Sequence, residues 1–209
     1  PHIDASLNAV ERGLDQLGCV GVNMHVTCFN RSVGETEFEP LYQEMNRRGA
    51  ILFVHPSTNG ACTPLINDYK FTAAVGTSVE DACFVLHMIA KQIPHRFPNI
   101  KFIVPHLGGP IPMLLHRLDQ QGVRDLGALG ELPSVTARRF WYDTVCYGSK
   151  AAMTCACEAF GPDRLVTGSD YPVLQDYESY RDTFAFIGRI GLPPEMADRI
   201  LHHNAQALF

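Results

Sequence analysis

The stretch FIVPHLGGPIPMLLHRLDQ, residues 102–120, decides how the chain is read. It opens with an uncharged run of β-branched and aromatic residues, the pattern of a strand buried on both faces. Pro105, His106, Gly108 and Gly109 interrupt that run. Pro110 then stands where proline is tolerated, in the first turn of a helix whose apolar stripe is Ile111, Leu114, Leu115 and Leu118. A buried strand ending on a titratable side chain and handing over to a helix is one βα unit.

The same phrase recurs along the chain. Apolar, β-branched runs predict strands near 20–28, 51–55, 101–106, 140–146 and 164–169. Helical spacing predicts helices over 5–17 (Leu7, Val10, Leu14 and Leu17, stopped by Gly18), 37–48 (stopped by Gly49), 149–159, 178–188 and 194–202. Ser78 is expected to cap a long helix with Val79, Ala82, Cys83, Leu86, Ile89, Ala90 and Ile93 on one face, after a polar loop over 57–68. Five βα units in succession mean a parallel sheet, either open and doubly wound or part of a (β/α)8 barrel. The G-x-G-x-x-G and G-x-x-x-x-G-K-[ST] signatures of the open nucleotide binders do not occur. One α/β domain over 1–209 is expected.

The composition narrows the class of partner. The 209 residues are 46% hydrophobic and 19% charged with a net charge of -5, and the basic residues cluster no further than the pairs Arg47–Arg48 and Arg138–Arg139. That excludes the positive footprint of a nucleic-acid binder and points to a small-molecule partner. No apolar run approaches the roughly 20 residues of a membrane helix, and no charged-then-apolar leader is visible. The seven cysteines form no C-x-x-C, so reduced thiols and a cytoplasmic location are expected.

Three predicted strands end on chemistry: His55 in LFVHP, His106 in IVPHLGG and Asp170 in VTGSDYP. In parallel α/β folds those ends open onto one face, where reacting groups gather. Each alone reads equally as a capped strand end. Two imidazoles and a carboxylate on one rim match a first-row divalent ion such as Zn²⁺. Gly108 and Gly109 are expected to let the backbone near His106 approach a ligand. His25 reads as a rim residue or, more readily, as a core histidine; His87, His95, His202 and His203 read as structural, and His116 has no assigned role. Cys155 and Cys157 cannot face the same side of a helix. Tyr142 and Asp143 either orient the pocket or form a buried hydrogen-bonded pair.

FVHP, PHLGGPIPMLLHR, YDT, GPDRLVTGSDYP and NAQALF, in that order across nearly the whole chain, resemble the landmarks of the amidohydrolase-related metal-dependent decarboxylases. The resemblance implies a distorted (β/α)8 barrel with one Zn²⁺ or Mn²⁺ ion. It implies that His55 and Asp170 ligate the metal, that His106 acts in proton transfer, and that Arg117 binds the substrate carboxylate, often across a subunit boundary. The implied reaction is nonoxidative decarboxylation of a small aromatic or unsaturated acid, such as 6-methylsalicylate or a hydroxybenzoate, with the proton delivered by His106 or Asp170.

One departure is large: the family's first strand ends in H-x-H, supplying two further ligands, and no H-x-H occurs here. The five units therefore correspond to the last five of the barrel, and the expectation is a fragment or shortened product, or a site completed by another chain. The metal would then be weakly held, and a homodimer or larger assembly is expected. Two other readings stand beside decarboxylation. One is a metal-dependent hydrolase or hydratase of the same superfamily; the other is a silent chain serving as a structural subunit.

Overall fold

The computed structural model describes residues 2–57 and 63–209. A five-stranded parallel sheet forms its centre: β1 (Gly21–His25), β2 (Ile51–His55), β3 (Lys101–Val104), β4 (Trp141–Asp143) and β5 (Leu165–Val166), ordered in space as in sequence. That order carries no reversal, which separates it from a doubly wound sheet and matches consecutive staves of a barrel. A small antiparallel ribbon, Thr27–Cys28 with Arg31–Ser32, follows β1.

The register shows why alternate residues of one strand have different fates. Leu52 pairs with Phe102, Val104 with Tyr142 and Tyr142 with Leu165, and these side chains, at most 1% exposed, all face the helices. The helices α1 (Ile3–Glu11), α2 (Glu39–Arg48), α3 (Thr77–Ala90), α4 (Ile111–Arg117) and α5 (Lys150–Phe160) supply the facing side chains, among them Val10, Met45, Phe84, Met88, Ile111, Met153 and Phe160. Tyr142 stacks on Phe160 with ring centroids 3.8 Å apart and its hydroxyl donates to the Ala137 carbonyl, so it belongs to the core. On the opposite face Ile51, Ile103 and Val166 form a smaller cluster with Phe53 and Trp141. Leu208 of the C-terminal turn closes that cluster, anchored because the Asn204 amide donates to the carbonyls of Pro162 and Leu165. Two unequal cores result, one on each face.

Several boundaries differ from the sequence expectation. Gly49 does end α2, in the left-handed conformation with its N–H on the Asn46 carbonyl. β2 ends at His55 as expected, and the other four strands end earlier, β5 after two residues, just before Gly168 passes so close to Asp143 that no side chain would fit. Ser78 caps nothing: helical backbone begins at Thr72, and α3 buries Ala82 and Ile89 of the expected stripe, with Ile93 buried just beyond its end, but also Glu80, Asp81, Phe84, Val85 and Met88, so the buried face is broader and rotated. Thr72–Ala90 is also long and apolar enough to cross a membrane by length and composition, against expectation, but its Phe84, Val85 and Met88 are packed in the sheet's main core. Within the expected loop over 57–68, residues 58–62 lie outside the described residues, and Pro64–Asn67 form a helical turn.

Candidate active site

Three strand ends converge. His55 closes β2, and its Nδ1–H donates to the Pro56 carbonyl at 2.9 Å, which turns Nε2 toward the sheet mouth. There Nε2 lies 3.7 Å from Asp170 Oδ1, while His106 Nε2 lies 3.8 Å from Asp170 Oδ2. The two imidazole centroids are 6.1 Å apart. Residues 23, 53, 55, 106, 143 and 170 line one cleft of about 450 Å³ on the inner face of the sheet.

The turn that presents His106 is strained and tied. His106, Leu107, Gly108 and Gly109 all have φ between 52° and 71°, a run of left-handed backbone that costs a non-glycine residue roughly 1–2 kcal/mol per position. Asp143 holds it: one carboxylate oxygen accepts the His106 N–H at 2.8 Å and the Val145 N–H at 3.1 Å. The glycines serve this turn rather than a ligand. A Cβ on Gly108 would meet the Tyr142 ring at 2.8 Å, and one on Gly109 would collide with the Ser78 carbonyl. The two residues taken together from the sequence thus divide, Tyr142 to the core and Asp143 to the site. Asp170 also sits at positive φ, 46°.

A side chain absent from the sequence expectations completes the arrangement. Asp81 of α3, fully buried, accepts the His106 Nδ1–H at 2.7 Å. Its neighbour Glu80 accepts from the Ser57 backbone and hydroxyl, pinning the segment that follows His55. The available signal was an acidic pair in a largely apolar helix, with Asp81 one turn from Val85 and two from Met88.

The charges follow from the contacts. The imidazoles of His106 and His55 beside it outweigh burial and hold Asp170 well below the carboxylate range. His106 is opposed by burial, yet the Asp170 and Asp81 carboxylates raise it to about 10. His55 is raised by Asp170 against its own burial. Burial lifts Asp81 to about 6 although His106 pulls it down, and burial raises Asp143 as well. At neutral pH the cluster is an imidazolium between carboxylates.

The geometry accommodates a metal in part. A separation of 3.7 Å is too long for a hydrogen bond but close to the roughly 3.4 Å span of two ligands at about 2.1 Å from one tetrahedral ion. His55 Nε2 and Asp170 Oδ1 therefore fit two positions of a coordination sphere, with Pro56 orienting the imidazole as an outer partner does. Among the described residues no group of three His, Cys, Asp or Glu is arranged to hold an ion.

The other expectations fare unevenly. Arg117 is exposed, donates to Gln121 at 3.0 Å and does not line the cleft, so this chain's own fold does not bring it to His55, His106 and Asp170. His25 is not in the core; it is exposed at the end of β1, in register with His55, because the inner face of this edge strand is uncovered. His95 pairs with Glu131, and His202 and His203 with Asp198, all at the surface.

Comparison with known proteins finds relatives along nearly the whole chain. A 6-methylsalicylic acid decarboxylase of Penicillium expansum is 28% identical over 210 residues, covering 98% of this chain and 64% of that protein. The crystal structure of 5-carboxyvanillate decarboxylase LigW from Sphingomonas paucimobilis superposes with a TM-score of 0.88 at 25% identity, covering 100% of this chain and 63% of that one. A dihydroxybenzoic acid decarboxylase from Polaromonas sp. JS666, solved with bound manganese and the inhibitor 2-nitroresorcinol, matches at 0.85 and 17% identity over 98% of this chain and 65% of its own. The chain thus spans just under two thirds of the length of these relatives. The family model described as amidohydrolase, Amidohydro_2, matches residues 1–209, and the chain belongs to that family.

Proposed function

We propose that this chain carries the reacting half of a metal-dependent nonoxidative decarboxylase acting on a small hydroxybenzoate-like acid, with 6-methylsalicylate as the narrower guess and Zn²⁺ or Mn²⁺ as the ion. The observation that carries the reading is the convergence of His55, His106 and Asp170 on one cleft. The aromatic-acid decarboxylases among its relatives support it.

When bound, a divalent ion at His55 and Asp170 supplies Lewis-acid polarisation of the substrate carboxylate and its neighbouring hydroxyl. The rest is done by the chain. Phe53 and Ile103 give the cleft an apolar wall against which an aromatic ring can lie. Loss of CO₂ from an sp² carbon needs somewhere for the bonding electrons to go, so the ring carbon bearing the carboxylate is protonated first. Held deprotonated by two imidazoles, Asp170 is a poor acid, whereas His106 carries a proton on the nitrogen facing the cleft. His106 Nε2–H therefore protonates that carbon, the carbon–carboxylate bond breaks, and its electrons restore the aromatic ring as CO₂ departs.

The test is to load the 209-residue protein with Zn²⁺ or Mn²⁺ and supply ring-carboxylate-labelled 6-methylsalicylate in deuterated water. Labelled CO₂ and deuterium at the vacated ring carbon are expected. A hydrated or hydrolysed product without CO₂ would replace the reading by the hydrolase or hydratase one, and a chain that retains no divalent metal and no activity would replace it by the silent subunit. Assembly belongs to the same proposal, because β1 and β5 are the outermost strands of the sheet and an edge strand invites pairing with another chain. Sedimentation as a monomer at micromolar concentration would remove it.

A further inference from the structure

We propose that Asp81 is a positioning residue for His106, fixing the imidazole so that Nε2–H and not Nδ1–H faces the cleft, an inference that rests on His106 as the proton donor. An imidazole has two nitrogens and a free rotor about χ2, and only one orientation is productive. The 2.7 Å bond from Nδ1 to Asp81 Oδ2 removes that freedom, while the backbone of His106 is fixed separately by Asp143. Side chain and main chain are thus held by carboxylates from two different elements.

Stability alone does not account for Asp81. It is fully buried, its Oδ1 has no hydrogen-bond partner among the described residues, and burial opposes its charge. A carboxylate half satisfied in the interior costs stability, and well-packed apolar groups in place of a buried ion pair are often no less stable. Its position on the buried face of α3 beside Val85 would suit an apolar residue. What the carboxylate contributes is the direction of one N–H.

The test compares the full chain, metal-loaded, as wild type, Asp81→Asn, Asp81→Ala and Asp81→Glu. It measures kcat and KM for CO₂ release from 6-methylsalicylate, the melting temperature, and the far-downfield Nδ1–H proton resonance of ¹⁵N-histidine-labelled metal-free protein. Expected are a fall in kcat of about 10- to 100-fold in Asp81→Asn and Asp81→Ala with KM within about twofold, as for orienting partners elsewhere. Partial recovery is expected in Asp81→Glu, with the loss in kcat persisting at temperatures where every variant is fully folded. The Nδ1–H resonance should be present in wild type and absent in Asp81→Ala.

Unchanged kcat in Asp81→Asn and Asp81→Ala, or a loss that follows a fall in melting temperature, overturns the inference. So does the absence of the resonance from wild type. If wild type releases no CO₂ but the resonance is present and vanishes in Asp81→Ala, the decarboxylase reading fails and the positioning of His106 stands.

Discussion

The two faces of one sheet are built on opposite terms. On the helix side Leu52, Val54, Phe102 and Val104 are at most 1% exposed, apolar, and embedded in the larger core. On the inner side the same strands run through a smaller apolar cluster and finish at His55, His106, Asp143 and Asp170, where His106 and Asp170 have positive φ and three carboxylates crowd one imidazolium. Period-two alternation makes this possible, since neighbours on one strand point to opposite faces. The outer face supplies surplus stability, and the inner rim can then hold strain and unpaired charge that would unfold a weaker scaffold.

That contrast can be broken from the outer side first. Phe102→Ala removes a buried ring that contacts Tyr42, Phe84 and Phe140, and should cost about 3–5 kcal/mol of stability by denaturant unfolding, with activity falling only as folded protein is lost. From the inner side, His106→Asn should lower kcat of the folded protein by about 10³-fold, worth about 4 kcal/mol of barrier, while metal content stays close to wild type. If His106→Asn instead unfolds the chain while Phe102→Ala is tolerated, the division between the faces is wrong.

pH sharpens the comparison. The folded value of His106 is raised to about 10 from an ordinary 6.5, so the native chain holds a proton between those values that the unfolded chain releases. Its contribution is complete below about pH 6.5 and is lost as pH rises through 10. Asp81, raised only to about 6, has finished titrating by pH 7. Metal-free wild type should therefore lose at most about 1.4 kcal/mol per pH unit between pH 7 and 8.5 relative to His106→Gln, measured by chemical unfolding at each pH.

The smallest effect concerns a residue on neither face. Arg117→Ala removes an exposed bond to Gln121 and should change stability by less than about 0.5 kcal/mol. If Arg117 reaches a substrate carboxylate across a subunit boundary, KM will rise in Arg117→Ala with the melting temperature unchanged. An unchanged KM would confine recognition to the cleft of this chain.

The regular features were legible because they obey one period. The five strands and the residues at three of their ends follow from apolar runs bounded by Pro and Gly, and Gly49 marks its helix end as expected. Asp81 was not legible, because a helix places it over a strand end in space while the chain separates it from His106 by 25 positions. The purpose of Gly108 and Gly109 was misread for a related reason: what a glycine makes room for is a neighbour in space, here Tyr142 and Ser78. His25 was misread because exposure on an edge strand depends on what covers the sheet, which local pattern does not encode.

The left-handed turn at His106 has a practical corollary for protein engineering. Its shape depends on the Tyr142 ring beneath Gly108, the Ser78 carbonyl against Gly109 and the Asp143 carboxylate under the backbone. Grafting HLGG onto another barrel would therefore transplant four letters without their mould. The smallest portable module is the turn together with the start of α3 and the whole of β4, three separate chain segments that must move as one.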